Sequence, residues 1–232
     1  MTDPVALRRD LLTSGPLAFT AGFVDVVGFV ALFGLFTAHV TGNFVLIGAE
    51  LTSASSRGVL GKLLALPMFI IAVAGTRLAV LRFARDGRAP LRPLLVIQGL
   101  LLAAFMATGL VARPVRDPDA LVVIVAGLLG VAAMGVQNAK ARLVLGAQSP
   151  TTIMTGNTTQ IVIDLVDLVC ANPGPKAAAR DRLARMGPTL LAFAVGTAAG
   201  AIGYVQLSFW CLLAPIAAVT LLAATAPGRA TP

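Results

Sequence analysis

Cysteine, histidine and charge are all scarce in this sequence. Cys170 and Cys211 are its only thiols, and neither has metal-ligand spacing or belongs to a disulfide framework. The single His39 excludes any multi-histidine metal site, so neither a metal nor another cofactor is expected. Only 12% of the 232 residues are charged, against 57% hydrophobic and a mean hydropathy of +0.90. That composition lies far outside the soluble range. Acidic residues are fewer than basic ones, 10 against 18, for a net charge of +8. In a soluble chain this excess would suggest nucleic acid, but here the charges fall in short loops between apolar runs, as positive-inside topology requires. No nucleic-acid motif is present, and no such partner is expected. Also missing are a nucleophile motif, a metal cluster and a phosphate loop, so the chain is not read as an enzyme.

What the chain does have is length in its apolar runs. Runs of about 20 apolar residues cross a bilayer, and six are read as spans: 16–36, 63–82, 94–112, 121–139, 188–205 and 209–224. Arg8-Arg9 before the first run imitates a signal peptide. The run is too long, contains Asp25 and lacks an A-x-A-like cleavage site, so it is read as a retained helix. Residues 171–187 read as a basic linker containing Pro and Gly, and Pro215 is expected to kink the last span.

One string recurs. Val40-Thr41-Gly42-Asn43 is echoed by Met154-Thr155-Gly156-Asn157, 114 residues later. Each copy opens a short helical run, 44–51 and 158–170, with a carboxylate seven residues past the Asn: Glu50 and Asp164. Upstream, Gly22-Phe23-Val24-Asp25 matches Gly135-Val136-Gln137-Asn138, and downstream Gly75-Thr76 matches Gly196-Thr197. The chain is therefore read as a single membrane domain, 1–232, with repeat halves 14–112 and 120–227. The expected fold is all-α and integral to the membrane. It has about six transmembrane helices plus two short half-helix elements that re-enter.

The run from Asn43 to Leu51 is only about 13 Å at ~1.5 Å per residue, roughly half of a ~30 Å hydrocarbon core. With re-entry and a cytoplasmic N-terminus, thirteen Lys/Arg lie inside and four outside; if the short elements span, the split is eleven to six. Charge bias favours re-entry. Three spans per half then make the second half inverted relative to the first, with both Thr-Gly-Asn starts meeting at the midplane. Lys140 and Arg142 fall either in a loop or inside the protein, depending on where the fourth helix ends.

Candidate substrate-binding residues follow from that picture: Thr41, Gly42, Asn43, Thr155, Gly156 and Asn157, with Asp25, Gln137 and Asn138. The threonines can cap the following helices, the glycines admit close approach or an unusual φ, and the asparagines offer donor and acceptor. A plain capped helix start explains the same string. Glu50, Asp164 and Asp167 share a face with the Asn of their copy and are candidates for a pathway wall, or else sit at the membrane surface. Asp25 falls mid-span, so it is a proton or cation site or half of a buried ion pair with Arg77, Lys140 or Arg142. Arg77 is a pathway candidate that can also snorkel. His39 has no counterpart in the second copy and is either a gate or pH-sensitive group, or a loop residue.

These strings, together with Phe36-Thr37-Ala38-His39-Val40-Thr41-Gly42-Asn43 and Thr151-Thr152-Ile153-Met154-Thr155-Gly156-Asn157, resemble the YoaK-like family of bacterial inner-membrane proteins, a group with no assigned function. The resemblance covers nearly the whole chain. It implies a multi-pass protein of the bacterial cytoplasmic membrane and names no activity. The function expected is a small-solute transporter or channel with a central site at the Thr-Gly-Asn starts. The alternative is a non-transporting scaffold or partner subunit. Expected partners are the lipid bilayer and an unidentified small polar or ionic solute, with homo-oligomerisation left open.

Overall fold

The computed structural model describes residues 4–52, 58–146, 148–170 and 173–226. Arg57 and Arg229, two of the basic residues assigned to a side, lie outside these, as does residue 227 at the end of the second half. The described chain is helical: α1 (Pro4–Ala31), α2 (Gly42–Glu50), α3 (Val59–Arg85), α4 (Leu91–Val111), α5 (Leu121–Leu143), α6 (Met154–Cys170), α7 (Pro173–Leu207) and α8 (Leu213–Thr225). Five helical stretches are long and apolar enough to cross a membrane: Leu7–Ala31, Val59–Arg85, Leu91–Val111, Leu121–Leu143 and Lys176–Thr225. The last, at 50 residues, is far longer than the ~20 that a bilayer needs. It folds back through a 3-10 turn at Ser208–Leu212, where Ser208 has φ of 52°.

Two expectations change here. Residues 171 and 172 lie outside the described residues, and the rest of the basic stretch 171–187 is not a linker, because α7 runs unbroken from Pro173 through Pro188. Its Ala-rich sequence 177–179 favours helix, and Arg182 is held against α6. Nor does Pro215 kink a span. It lies in the first turn of α8, where its missing N–H interrupts no intrahelical bond.

The packing crosses between the chain's two halves. The first helix of each lies against the third of the other: α1 on α7 and α5 on α3. Along α1 and α7, Ser14 meets Thr189, and the backbones of Phe19 and Phe23 meet Gly196 and Gly200, so these helices run parallel. Side chains on Gly196 and Gly200 would collide with that backbone, the small-residue packing on which lipid-embedded helices depend. Against α5 the sense reverses. Leu17 bonds Gln137, whereas Leu32 and Leu35 lie beside Gly127, so α1 and α5 are antiparallel.

The short helices α2 and α6 sit at opposite ends of the bundle. α2 lies on α3 near the end of α1, where Lys62 approaches Gly34 and Gly58. α6 lies on α7 beside the loop that Ser149 ties to Asp10 near the start of α1. Hence α3 begins at the end where α1 finishes, and Thr189 of α7 lies at the end where α1 begins.

Candidate functional site

Each Thr-Gly-Asn asparagine grips backbone seven residues upstream. Asn43 Oδ1 accepts from Phe36 N at 2.9 Å, while its Nδ2 donates to Phe36 O at 2.9 Å. Asn157 Nδ2 donates to Pro150 O at 2.8 Å. Pro150 has no N–H, so the second clamp is half of the first. The capping expectation fails in both copies. Thr41 makes no side-chain cap bond, and Thr155 is already inside α6, so the Asn side chain does the anchoring instead. Gly42 needs no positive φ, but a Cβ there would press on the Phe36 ring at 3.0 Å. Gly156 is not crowded in this way. Thr41 and Thr155 are both exposed, and the two strings do not share a central site.

The clamp on Phe36 sets the loop that follows, which turns its amides onto Asp25. Asp25 Oδ1 accepts from the backbone N–H groups of Thr37 (2.8 Å), Ala38 (2.7 Å) and His39 (3.4 Å). The other oxygen, Oδ2, lies 2.6 Å from His39 Nδ1. Asp25 is 5% exposed and six residues before the end of α1, about 9 Å along the helix at ~1.5 Å per residue. Its partner is therefore His39. Arg77 is exposed on α3, Arg142 is exposed, and Lys140 bonds elsewhere. The hydrogen bond to Asp25 holds the His39 imidazole above its ordinary pKa, against the opposing effect of burial.

This pair borders an open cavity of about 460 Å³ between α1 and α7. Gly22, Asp25, Val26 and Phe29 line it from α1, Phe36 and His39 from the loop, Gly42 from the start of α2, and Phe193 from α7. Thr197 also faces it, with its hydroxyl donating to Phe193 O at 3.0 Å. The rings pack around the imidazole: Phe29 on Phe36 with centroids 4.8 Å apart, and Phe193 edge-on to His39 at 5.7 Å. In the other half, Asn138 is half-buried with no hydrogen-bond partner among the described residues, and Ile153 stands where His39 would be. The chemistry is one-sided.

Gln137 belongs to a second buried network. Lys140 Nζ donates to Gln98 Oε1 (2.6 Å), Gln98 Nε2 to Gln137 Oε1 (2.6 Å), and Gln137 Nε2 to Leu17 O (2.7 Å). Lys140 is wholly inside the protein, which places it in the core rather than in a loop.

The two carboxylates past the asparagines are in ion pairs. Glu50 accepts from Lys62 of α3 at 2.6 Å, and Asp164 from Arg182 of α7 through both Nε and Nη2. Burial is transposed between them: side-chain exposure is 1% for Lys62 and 21% for Glu50, but 34% for Arg182 and 0% for Asp164. Asp167 is half-buried and acts electrostatically on the same arginine.

Phe29, Phe193 and Thr197 were not legible as site residues, since nothing in the local sequence says that α7 will face Asp25. Gln98 was equally silent. The lack of a side chain at Gly22 lets Phe193 O and Thr197 approach.

These helices and their apolar exteriors define an all-α, multi-pass membrane protein. Residues 16–225 match the family described as protein of unknown function (DUF1275), and the chain belongs to it. It is similar to the UPF0700 transmembrane protein YoaK of Bacillus subtilis (strain 168), with 31% identity over 182 residues, 78% of this chain and 77% of that protein. No solved structure matches.

Proposed function

We infer that this protein is a small-solute transporter of the bacterial cytoplasmic membrane, with a cytoplasmic N-terminus, and that the Asp25–His39 cavity holds its solute. The observation that carries this reading is where the cavity lies. It sits on the seam between α1 of the first half and α7 of the second, at a buried carboxylate–imidazole pair. Transporters built from inverted repeats keep their sites at such interfaces, and movement of one half against the other exposes the site to each side in turn. The antiparallel course of α1 and α5 supports inversion. The solute site then lies at the seam, with Gly42 of the first string on its wall and Asn43 anchoring its loop. Transport is preferred to catalysis because the one hydroxyl lining the cavity, Thr197, is spent on a backbone carbonyl.

The scaffold alternative draws on a different observation. Asn43 and Asn157 both spend their side chains on backbone. One experiment separates the two. Thr197→Cys, in a background with Cys170→Ser and Cys211→Ala, is treated with a membrane-impermeant maleimide from either face of oriented vesicles. A transporter gives labelling from both faces in proportions that shift with conditions. Labelling confined to one face under every condition rejects alternating access and favours the scaffold.

A further inference from the structure

Arg77 has no part in the cavity or in the ion pairs. It is the only charged residue of α3 between Lys62 and Arg82. The run 63–81 is about 28 Å long at ~1.5 Å per residue, close to a hydrocarbon core of ~30 Å. Arg77 stands five residues before Arg82, so it lies about 7 Å inside the edge of that core. Its side chain makes no hydrogen bond or ion pair with any described residue. Ile70, Ala74 and Leu81 share its helix face and, like Arg77, are exposed. An arginine surrounded by hydrocarbon is costly unless an anion meets it.

The source of that anion is narrowed by where the carboxylates lie. Among the described residues, three fall in the stretches fit to cross a membrane. Asp10 and Asp25 are buried, and Asp181 is half-buried and already engaged. In α6, Asp164 and Asp167 both act on Arg182. A second copy of the chain therefore brings no unengaged carboxylate to the depth of Arg77, and a soluble anion would have to leave water to reach it. The remaining anion is the phosphate of a bilayer lipid. The end of α3 adds to the attraction. Arg82 and Arg85 stand in its last turn, Arg88 and Arg92 follow, all four are exposed, and Asp86 is the one acid among them. Arg85 is eight residues beyond Arg77, which sets it about 80° round the helix. Helical Cα–Cβ bonds lean towards the N-terminus, so Arg85 leans back towards the edge of the hydrocarbon that Arg77 approaches from within.

We propose that Arg77 and Arg85 hold the phosphate of an anionic phospholipid against α3, at the end of the bundle where α1 begins. The guanidinium groups donate to the phosphate oxygens, and the acyl chains lie along the exposed apolar face below. The excess of arginine over acid at this end selects an anionic headgroup over a zwitterionic one. The site is separate from the Asp25–His39 cavity and stands whether or not that cavity carries a solute.

The test uses the full chain in vesicles of phosphatidylcholine and phosphatidylglycerol, with one lipid or the other carrying brominated acyl chains that quench tryptophan on contact. Leu81→Trp, in a background with Trp210→Phe, reports on lipid beside Arg77. The native chain, whose one tryptophan is Trp210, reports on the opposite end of the bundle. Quenching at Leu81→Trp should favour phosphatidylglycerol, and Arg77→Gln should lower that preference about fivefold, the worth of one arginine near an anionic surface. Arg8→Gln removes the same charge from α1 at the same end and should leave the preference nearly unchanged. Trp210 should not respond to Arg77→Gln. Equal quenching by the two lipids at Leu81→Trp overturns the assignment. So does a fall as large with Arg8→Gln, which leaves only the general attraction of a basic surface, or a matching fall at Trp210. Absence of quenching by either lipid replaces the lipid with a second copy of the chain. Loss of the preference to inorganic phosphate, at an ionic strength where chloride preserves it, replaces the lipid with a soluble anion.

Discussion

At the scale of single residues, the repeated asparagine and the unrepeated histidine do different work. Asn43 satisfies both backbone groups of Phe36, whereas Asn157 satisfies one carbonyl. Asn43→Ala is therefore expected to cost about 1–3 kcal/mol by leaving a part-buried N–H and C=O unmet, and Asn157→Ala about 1 kcal/mol. Thermal unfolding of the two variants in detergent measures the order, and equal losses would contradict the clamp. His39 adds a pH dependence. Its pKa is raised above 6.5 in the folded protein by the bond to Asp25. Its stabilising contribution is therefore complete below about pH 6.5 and is lost as pH climbs through the higher folded value. Asp25 is the one other titratable group lining the cavity. The Tm advantage of the native chain over His39→Phe should shrink as pH rises above about 6.5; an advantage that is flat or growing would contradict the pairing. Sequence alone marked Asp25 and His39 as unusual. It could not join them, because the Asp25–His39 contact depends on a reversal at residues 32–41 that brings three amides back over α1.

At the scale of elements, the ion pairs fasten each short helix to the long one after it. In the second half the buried partner is the carboxylate, with Asp164 at 0% exposure and Arg182 at 34%. Arg182→Ala leaves the Asp164 carboxylate with Gln160 as its remaining side-chain partner and should lower the Tm. Asp164→Asn frees an arginine that can reach water and should cost clearly less, while the double change recovers most of the Arg182→Ala loss. A thermal-unfolding double-mutant cycle gives the coupling; equal single-variant costs would show that burial does not decide the pair. The shared face of Asn157 and Asp164 was legible from their spacing of seven residues, close to two turns at ~3.6 residues per turn. Arg182 was hidden because 171–187, rich in charge with Pro and Gly, looks like a loop until α6 supplies a surface for it.

At the scale of the whole molecule, corresponding positions in the two halves are not equivalent. Gly75 and Gly196 each stand in a Gly-Thr string that recurs in the sequence. A Cβ at Gly75 meets nothing within 4 Å, whereas one at Gly196 would collide with the Phe19 backbone. Gly196→Ala should thus destabilise by about 1–3 kcal/mol as α1 and α7 are forced apart; Gly75→Ala should be neutral or slightly stabilising. Comparing the Tm of the two alanine variants tests whether the α1–α7 seam is the tight one. Topology has its own check. With α2 and α6 at opposite ends of the bundle, Thr41→Cys and Thr155→Cys should react with impermeant thiol reagents from opposite faces of the membrane. Labelling of both from the same face would refute the arrangement.

The sequence by itself determined that this is an all-α membrane protein. Apolar runs of bilayer length leave the backbone no solvent but itself, and a helix satisfies every amide within one segment. It also shows the strings around Asn43 and Asn157 recurring in the same order. Tertiary structure alone decided where the chemistry lies. Asp25, Phe193 and Thr197 share a cavity because α1 and α7 pack parallel across the chain's two halves through Gly22, Gly196 and Gly200. That contact spans about 170 residues of chain, and no local periodicity encodes which helix will fill the groove that a glycine leaves open.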